Sequence, residues 1–189
     1  EVQKHQMLDD VTKVEISKKD IADSSEVPGA KLIILDKDGK KVESWMSTDK
    51  PHMVEKLPVG EYTLREEQAP GGYLIAEDVK FTVKDTGKTQ KVKMKDTHPY
   101  GKLVIKKTDS TSKAALPGAE FELREKESGK VVEKLVTDKT GTATSGKIPI
   151  ATYKNGKVEK TVEYILVETK APNGYELSSK KEEIRFEYK

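Results

Sequence analysis

Apolar and polar residues alternate with a period of two along much of this chain, and no window carries a convincing helical stripe. Val14, Ile16 and Lys18 share one parity, with Glu15 and Ser17 between them. The stretches 31–35, 41–47, 61–66, 79–83 and 91–96 show the same alternation or a β-type composition. Turn chemistry separates them at Asp38-Gly39, Pro58-Val-Gly60, Pro70-Gly-Gly72 and Thr86-Gly87. The second half repeats the pattern, with turns at Ser128-Gly129 and Thr140-Gly141 and a tight hairpin at Asn155-Gly156. Short strands at this spacing predict an all-β chain built of small antiparallel sandwiches.

The chain also repeats itself. Val27-Pro-Gly-Ala30 returns as Leu116-Pro-Gly-Ala119, and Ile16-Ser-Lys-Lys-Asp20 as Ile105-Lys-Lys-Thr-Asp109. The stretch 62–73, Tyr-Thr-Leu-Arg-Glu-Glu-Gln-Ala-Pro-Gly-Gly-Tyr, returns at 164–175 as Tyr-Ile-Leu-Val-Glu-Thr-Lys-Ala-Pro-Asn-Gly-Tyr. The markers keep their order, so two homologous modules are expected, at 11–97 and 98–189. A third echo relates 2–10 to 89–97, with Gln3, Lys4, Met7 and Asp9 matching Gln90, Lys91, Met94 and Asp96. Because 89–97 closes module one, 1–10 reads as the closing strand of a preceding module. By the same logic module two lacks its last strand. The sequence has the look of a tandem array cut slightly out of frame.

Composition narrows the function. Of 189 residues 36% are charged and 34% hydrophobic, so the core is lean. Thirty-five Lys plus Arg against 33 Asp plus Glu leave a net charge of +2, which argues against a nucleic-acid partner. No apolar run reaches the roughly 18 residues of a membrane span, and residues 1–10 lack the character of a secretory signal. With no cysteine there are no disulfides, no thiol catalysis and no Cys-ligated metal.

The informative anomaly is where certain charges fall. If Val14 and Ile16 point inward, the pleat sends Lys18 inward too. Tyr62 and Leu64 carry Glu66 with them, and Val92 and Met94 carry Asp96. Module two repeats two of the three parts, Lys107 after Leu103 and Ile105, and Glu168 after Tyr164 and Leu166. Against this stands the plain alternative that each charge reaches water where its strand frays. Buried together, one Lys and two acids are costly unless the charges pair or disappear. Burial favours neutral amine and neutral acid. A neutral Lys18 amine is a nucleophile, and the Asp96 carboxyl carbon is its target. Glu66 would polarise that carboxyl and shuttle protons while water leaves. The product is a Lys18–Asp96 isopeptide bond, formed once and without turnover.

These residues resemble CnaB-type (SpaA-like) domains of Gram-positive surface adhesins and pilins. The pattern Tyr-x-Leu-x-Glu-Thr-x-Ala-Pro-x-Gly-Tyr is met in full at 164–175, and at 62–73 except for Glu67 in the Thr place. The Lys-x-Asp and Pro-Gly-Ala motifs fit in both modules. The resemblance implies two tandem Ig-like, prealbumin-like β-sandwiches, each with a Lys on its first strand joined to Asn or Asp on its last with help from the Glu. It gives Lys18, Glu66 and Asp96 those roles in module one, and Lys107 and Glu168 the first two in module two. Asp at 96 in place of Asn makes water the by-product. Module two has no acceptor in the expected place; Asp9, which matches Asp96, belongs by repeat position to the preceding module. A neighbouring chain's strand bearing Asp9 would then complete module two by strand exchange. The resemblance also implies an extracellular, cell-wall-anchored protein whose signal and anchor lie outside these residues. Its implied partners are neighbouring modules of the same array, with a structural stalk role. The alternative is an adhesive module in which a loop such as 145–157 grips a host protein or glycan.

Other constellations carry less. His5, His52 and His98 are scattered without metal-ligand company, and no cofactor is implied. Asp36-Lys-Asp38-Gly39 is a turn before it is a calcium loop. Glu66 with Glu67, and Glu182 with Glu183, face opposite sides of a strand and cannot flank one glycosidic bond. Lys91, Lys93 and Lys95 fall on an outward face. Trp45 and Tyr153 read first as packing residues.

Overall fold

The computed structural model describes residues 2–187. Glu1, Tyr188 and Lys189, the outermost residues of the expected segments 1–10 and 98–189, lie outside the described residues. The chain divides into two compact units: one runs through His98 and includes Lys154–Lys157, the other comprises Pro99–Tyr153 and the chain from Val158 onward.

In unit one, β1 (Lys13–Asp20), β4 (His52–Glu55) and β7 (Gln90–Asp96) form a three-stranded sheet in the order β4-β1-β7. The facing sheet has the order β3-β2-β5-β6, from β2 (Lys31–Asp36), β3 (Lys41–Met46), β5 (Gly60–Gln68) and β6 (Val79–Val83). Between them lie Val14, Ile16, Leu32, Ile34, Leu64, Val83 and Met94. The period of two explains the partition on β7: Val92, Met94 and Asp96 are buried, while Lys91, Lys93 and Lys95 are exposed. Trp45 packs on this core and stacks on His52 at 4.3 Å. Pairings in unit one are antiparallel with one exception. Strands β1 and β7 run parallel, with Lys18 opposite Met94 and Asp20 opposite Asp96. First and last strands of the module are therefore neighbours that point the same way.

Unit two repeats the larger sheet as β11-β10-β16-β17, from β10 (Glu120–Glu125), β11 (Val131–Val136), β16 (Tyr164–Lys170) and β17 (Lys181–Ile184). Opposite it are β9 (Val104–Lys106) paired with β12 (Thr142–Thr144), and β8 (Tyr100–Gly101) paired with β13 (Ile148–Pro149). Strands β14 (Ala151–Lys154) and β15 (Lys157–Thr161) form a hairpin. Its turn residues Asn155 and Gly156 both have positive φ, 50° and 70°, as a two-residue primed turn requires. Ile105, Phe121, Leu123, Leu135, Tyr164 and Leu166 make the core.

The Pro-Gly-Ala motifs lead into β2 and β10 through a turn with Gly at positive φ, 88° at Gly29 and 80° at Gly118. One buried hydroxyl locks each turn. Ser47 Oγ donates to the Val27 carbonyl at 2.7 Å and accepts from Ala30 N–H at 2.8 Å. Thr137 Oγ1 does the same for Leu116 and Ala119, at 2.8 and 3.0 Å. Removing either hydroxyl strands a buried carbonyl and a buried N–H. Ser47→Ala and Thr137→Val are each expected to cost about 1–3 kcal/mol, measured by denaturant titration of the purified chain; losses under about 0.5 kcal/mol, the scatter of surface substitutions, would contradict the lock.

Candidate functional site

Three strands deliver three charged side chains to one end of the unit-one core. The alternation of β1 carries Lys18 inward, that of β5 carries Glu66, and that of β7 carries Asp96. All three are buried, with side chains at most 1% exposed. Lys18 Nζ lies 3.1 Å from Glu66 Oε1 and is in direct contact with Asp96 Oδ1. Glu66 Oε2 accepts the Ala76 N–H at 2.7 Å. An irregularity in the β2–β5 pairing helps to aim Glu66. Lys31 faces Gln68 and Leu32 faces Glu66, so Glu67 is an extra residue in the ladder. Glu67 itself points to solvent and pairs with Lys31 and Lys41 at 2.9 and 3.0 Å.

Fully ionised, one ammonium and two carboxylates would put a net negative charge in a site closed to water. Burial pushes the Asp96 carboxyl up to about 6; the Lys18 ammonium opposes this, and the neighbouring Glu66 adds to it. Asp96 Oδ2 has no hydrogen-bond partner, and Glu66 Oε1 has none beyond its ammonium contact. A proton on Asp96 makes the cluster neutral, with one ammonium against one remaining carboxylate. In that state the ammonium needs only to hand a proton to a carboxylate for amine and acid to meet uncharged.

Beyond the triad, the end of β1 holds a cluster that the sequence did not announce. Asp20, also buried, accepts hydrogen bonds from Tyr73 OH at 2.6 Å and from the Ala22 N–H at 2.7 Å, and lies 2.6 Å from His98 Nε2. Burial pushes its carboxyl up, but the bonds from Tyr73 and His98 outweigh that and hold it below its usual range. Since Asp20 faces Asp96 in the β1–β7 register and His98 is two residues past Asp96, the cluster clamps the end of β7 onto β1. The backbone bond from Ile21 N–H to the Asp96 carbonyl, 3.0 Å, acts in the same direction. Tyr73 closes the Glu-bearing motif and Asp20 closes Lys-x-Asp, so their recurrence was the available signal; only the fold brings them together. Asp109 and Tyr175 repeat the pair at 2.7 Å, where Tyr175 and the N–H groups of Ser112 and Thr111 hold the Asp109 carboxyl down to about 2.

In unit two, Lys107 Nζ lies 3.0 Å from Glu168 Oε2, and Glu168 Oε1 accepts the Ser178 N–H at 2.9 Å. The irregularity recurs: Glu120 faces Lys170 and Phe121 faces Glu168, leaving Thr169 extra. Among the described residues no acid stands in unit two where Asp96 stands in unit one, and Lys107 is 27% exposed against 1% for Lys18. Asp9 lies in the exposed segment 2–10, which carries no strand. Among the described residues no group of three metal-ligating side chains comes together. Asp36 forms a turn by accepting the Asp38 and Lys40 N–H groups, each at 2.9 Å. Residues 145–157 contain β13, β14 and the primed hairpin turn.

Residues 12–98 and 101–189 match the family model of the SpaA prealbumin-like fold domain. The chain belongs to this family. Among solved structures, the TIE protein of Bacillus anthracis is similar at 30% identity and a TM-score of 0.67, over 93% of this chain and 31% of that one. The present chain thus spans under a third of that relative's length. A streptococcal ancillary pilin is similar at 18% identity and TM-score 0.43, covering 95% of this chain and 59% of that one. BcpA, the major pilin subunit of Bacillus cereus, is similar at 15% and 0.42, covering 94% and 96%. No curated protein sequence matches.

The raised Asp96 pKa has a sign that can be measured where no cross-link can form. The folded state binds this proton more tightly than the unfolded chain, whose Asp titrates near 3.8. Stability from this group is therefore present at low pH and lost as pH rises through about 6. Lys18→Met removes the opposing ammonium and leaves two buried acids without a counter-charge, at a cost of about 3–5 kcal/mol near neutral pH. Its thermal midpoint is expected to fall between pH about 4 and about 7; a midpoint that rises over that window would contradict the assignment.

Proposed function

We propose that this chain is a stalk segment of a Gram-positive, cell-wall-anchored adhesin or pilin-like surface protein, with unit one closed by an autocatalytic Lys18–Asp96 isopeptide bond. The observation that carries this reading is a buried lysine in contact with a buried, protonatable aspartate beside a second acid. In the step, the Lys18 Nζ lone pair attacks Asp96 Cγ. The amine proton passes to Glu66, which returns a proton to the departing hydroxyl, and one water leaves as the C–N bond forms. Amine plus acid yields amide plus water, so nothing else is consumed. The folded core supplies the proximity that such a condensation otherwise lacks.

The geometry suits a spacer under tension. Pull entering at β1 and leaving past β7 acts on two parallel neighbours in opposite directions, which shears their whole ladder. A bond between Lys18 and Asp96 routes that pull around residues 19–95. Closing a loop with a sequence separation of 78 also restricts the unfolded chain, worth about 4–5 kcal/mol by analogy with a disulfide. Reductants cannot open it. A cavity of about 520 Å³ in unit two is lined by Glu125, Lys126, Glu127, Lys160 and Glu163, whose charges are largely engaged with one another. That lining favours a spacer over a catalyst with turnover.

Pulling single molecules by their ends tests the stalk reading. Unit two is expected to unfold and release about 3.5 Å per residue, while residues 19–95 release no length at any force that unfolds unit two. Release of that length in the wild-type chain would overturn the reading, and Glu66→Ala is expected to restore it.

A further inference from the structure

The segment between β5 and β6 does more than connect them. Pro70-Gly-Gly-Tyr73 closes a type II turn: the Tyr73 N–H donates to the Pro70 carbonyl at 3.1 Å, and Gly72 takes the positive φ, 85°, that its place in the turn demands. The turn leaves residues 73–76 bonded to all three strands that carry the triad. Tyr73 OH donates to Asp20 at the end of β1, at 2.6 Å. The Leu74 N–H donates to the carbonyl of Thr97, just past Asp96, at 3.1 Å. The Ala76 N–H donates to Glu66 of β5 at 2.7 Å. One short strap thus ties together the strand of the amine, the strand of the acceptor and the acid between them.

The centre of the strap is polar where an apolar contact would be enough to hold a loop. Tyr73 and Asp20 are both buried, and Asp20 uses both of its oxygens. Oδ1 accepts the Ala22 N–H, and Oδ2 meets Tyr73 OH and His98 Nε2, each at 2.6 Å. The His98 ring stands edge-on to Tyr73, with centroids 5.3 Å apart. A buried carboxylate is costly until it is satisfied, and a satisfied network holds one geometry instead of several. That geometry bears on the reacting groups. Asp96 is the last residue of β7 and its register with β1 ends at Asp20, so the acceptor sits where a ladder frays most easily. Unit two keeps the strap beside its own Lys–Glu pair, with Tyr175 N–H on the Pro172 carbonyl, Tyr175 OH on Asp109 and Ser178 N–H on Glu168.

We propose that Tyr73, Asp20 and His98 are positioning residues for the Lys18–Asp96 condensation, holding Asp96 Cγ in the path of Lys18 Nζ and so setting the rate at which the folded chain forms the bond. The inference rests on the isopeptide reading of unit one and leaves its balance unchanged: one C–N bond forms, one water leaves, and Glu66 moves the protons. None of the three positioning residues takes part in those transfers. They act through the backbone, Asp20 from the β1 side and His98 from just beyond the acceptor. Attack on a carboxyl carbon tolerates little displacement, and a misplacement of about 1 Å costs about 10²-fold in rate.

The test is a pulse-chase of the full chain in cell-free synthesis, quenched in denaturant at intervals and read by intact mass and denaturing-gel mobility. Protease resistance of the same samples gives the folded fraction, so the rate is expressed per folded molecule. Tyr73→Phe, which removes one hydroxyl, and His98→Ala are each expected to slow bond formation about 10–100-fold while reaching the same product. His98→Gln keeps a side-chain donor for Asp20 and is expected to recover most of the rate lost in His98→Ala. A role in stability alone lowers the folded fraction and leaves the rate per folded molecule at the wild-type value; that result overturns the proposal, as does a His98→Gln chain no faster than His98→Ala. A wild-type chain that folds and never loses water overturns the isopeptide reading and this inference with it. A wild-type chain that reacts, with both variants matching its rate, overturns the positioning role alone.

Discussion

A lysine sealed between two acids is the constraint around which unit one is arranged. Three charges in a dry core are stable only if they pair closely, take up a proton, or cease to exist as charges. The cluster does the first two, through the contact of Lys18 with Asp96 and through the raised Asp96 pKa, and both lead toward the third. An ion pair that has become an amide no longer needs a counter-charge. Under the proposed condensation the core would be costly before the reaction and stable after it, which would give the step a driving force that free amine and acid in water lack.

Much of the surrounding structure serves that contact. The parallel pairing of β1 and β7 places Lys18 and Asp96 on adjacent strands, the extra residue at Glu67 aims Glu66, and the Asp20–Tyr73–His98 cluster pins the end of β7. Unit two preserves most of this frame, with Glu168 beside its own extra residue and Asp109 bonded to Tyr175, and among the described residues it shows no counterpart of the strand that carries Asp96. The contrast between Lys18 and Lys107 measures what that strand does: with it the ammonium is sealed, and without it the side chain is partly in water.

The repeats and the period of two made the all-β architecture, the two modules and the inward parity of Lys18, Glu66 and Asp96 legible in the sequence. Parity depends only on the pleat, so it survives ignorance of which strands pair. What pairing decides was not legible. The parallel run of β1 beside β7 joins residues from opposite ends of the module, and no local pattern encodes it. Ser47 and Thr137 look like ordinary polar residues at strand ends until the Pro-Gly-Ala turns fold over them. His98 looked solitary because its partner, Asp20, is 78 positions away. The short strands β8, β12 and β13 carry too few residues for alternation to register.

The most direct test is the intact mass of the purified chain under denaturing conditions, with peptide mapping around the triad. The account predicts a deficit of about 18 Da, one water, carried by a branched peptide that joins Lys18 to Asp96, and its absence in Glu66→Ala. The full calculated mass, with Lys18 and Asp96 recovered in separate unmodified peptides, would contradict it and leave the cluster as a buried ion pair.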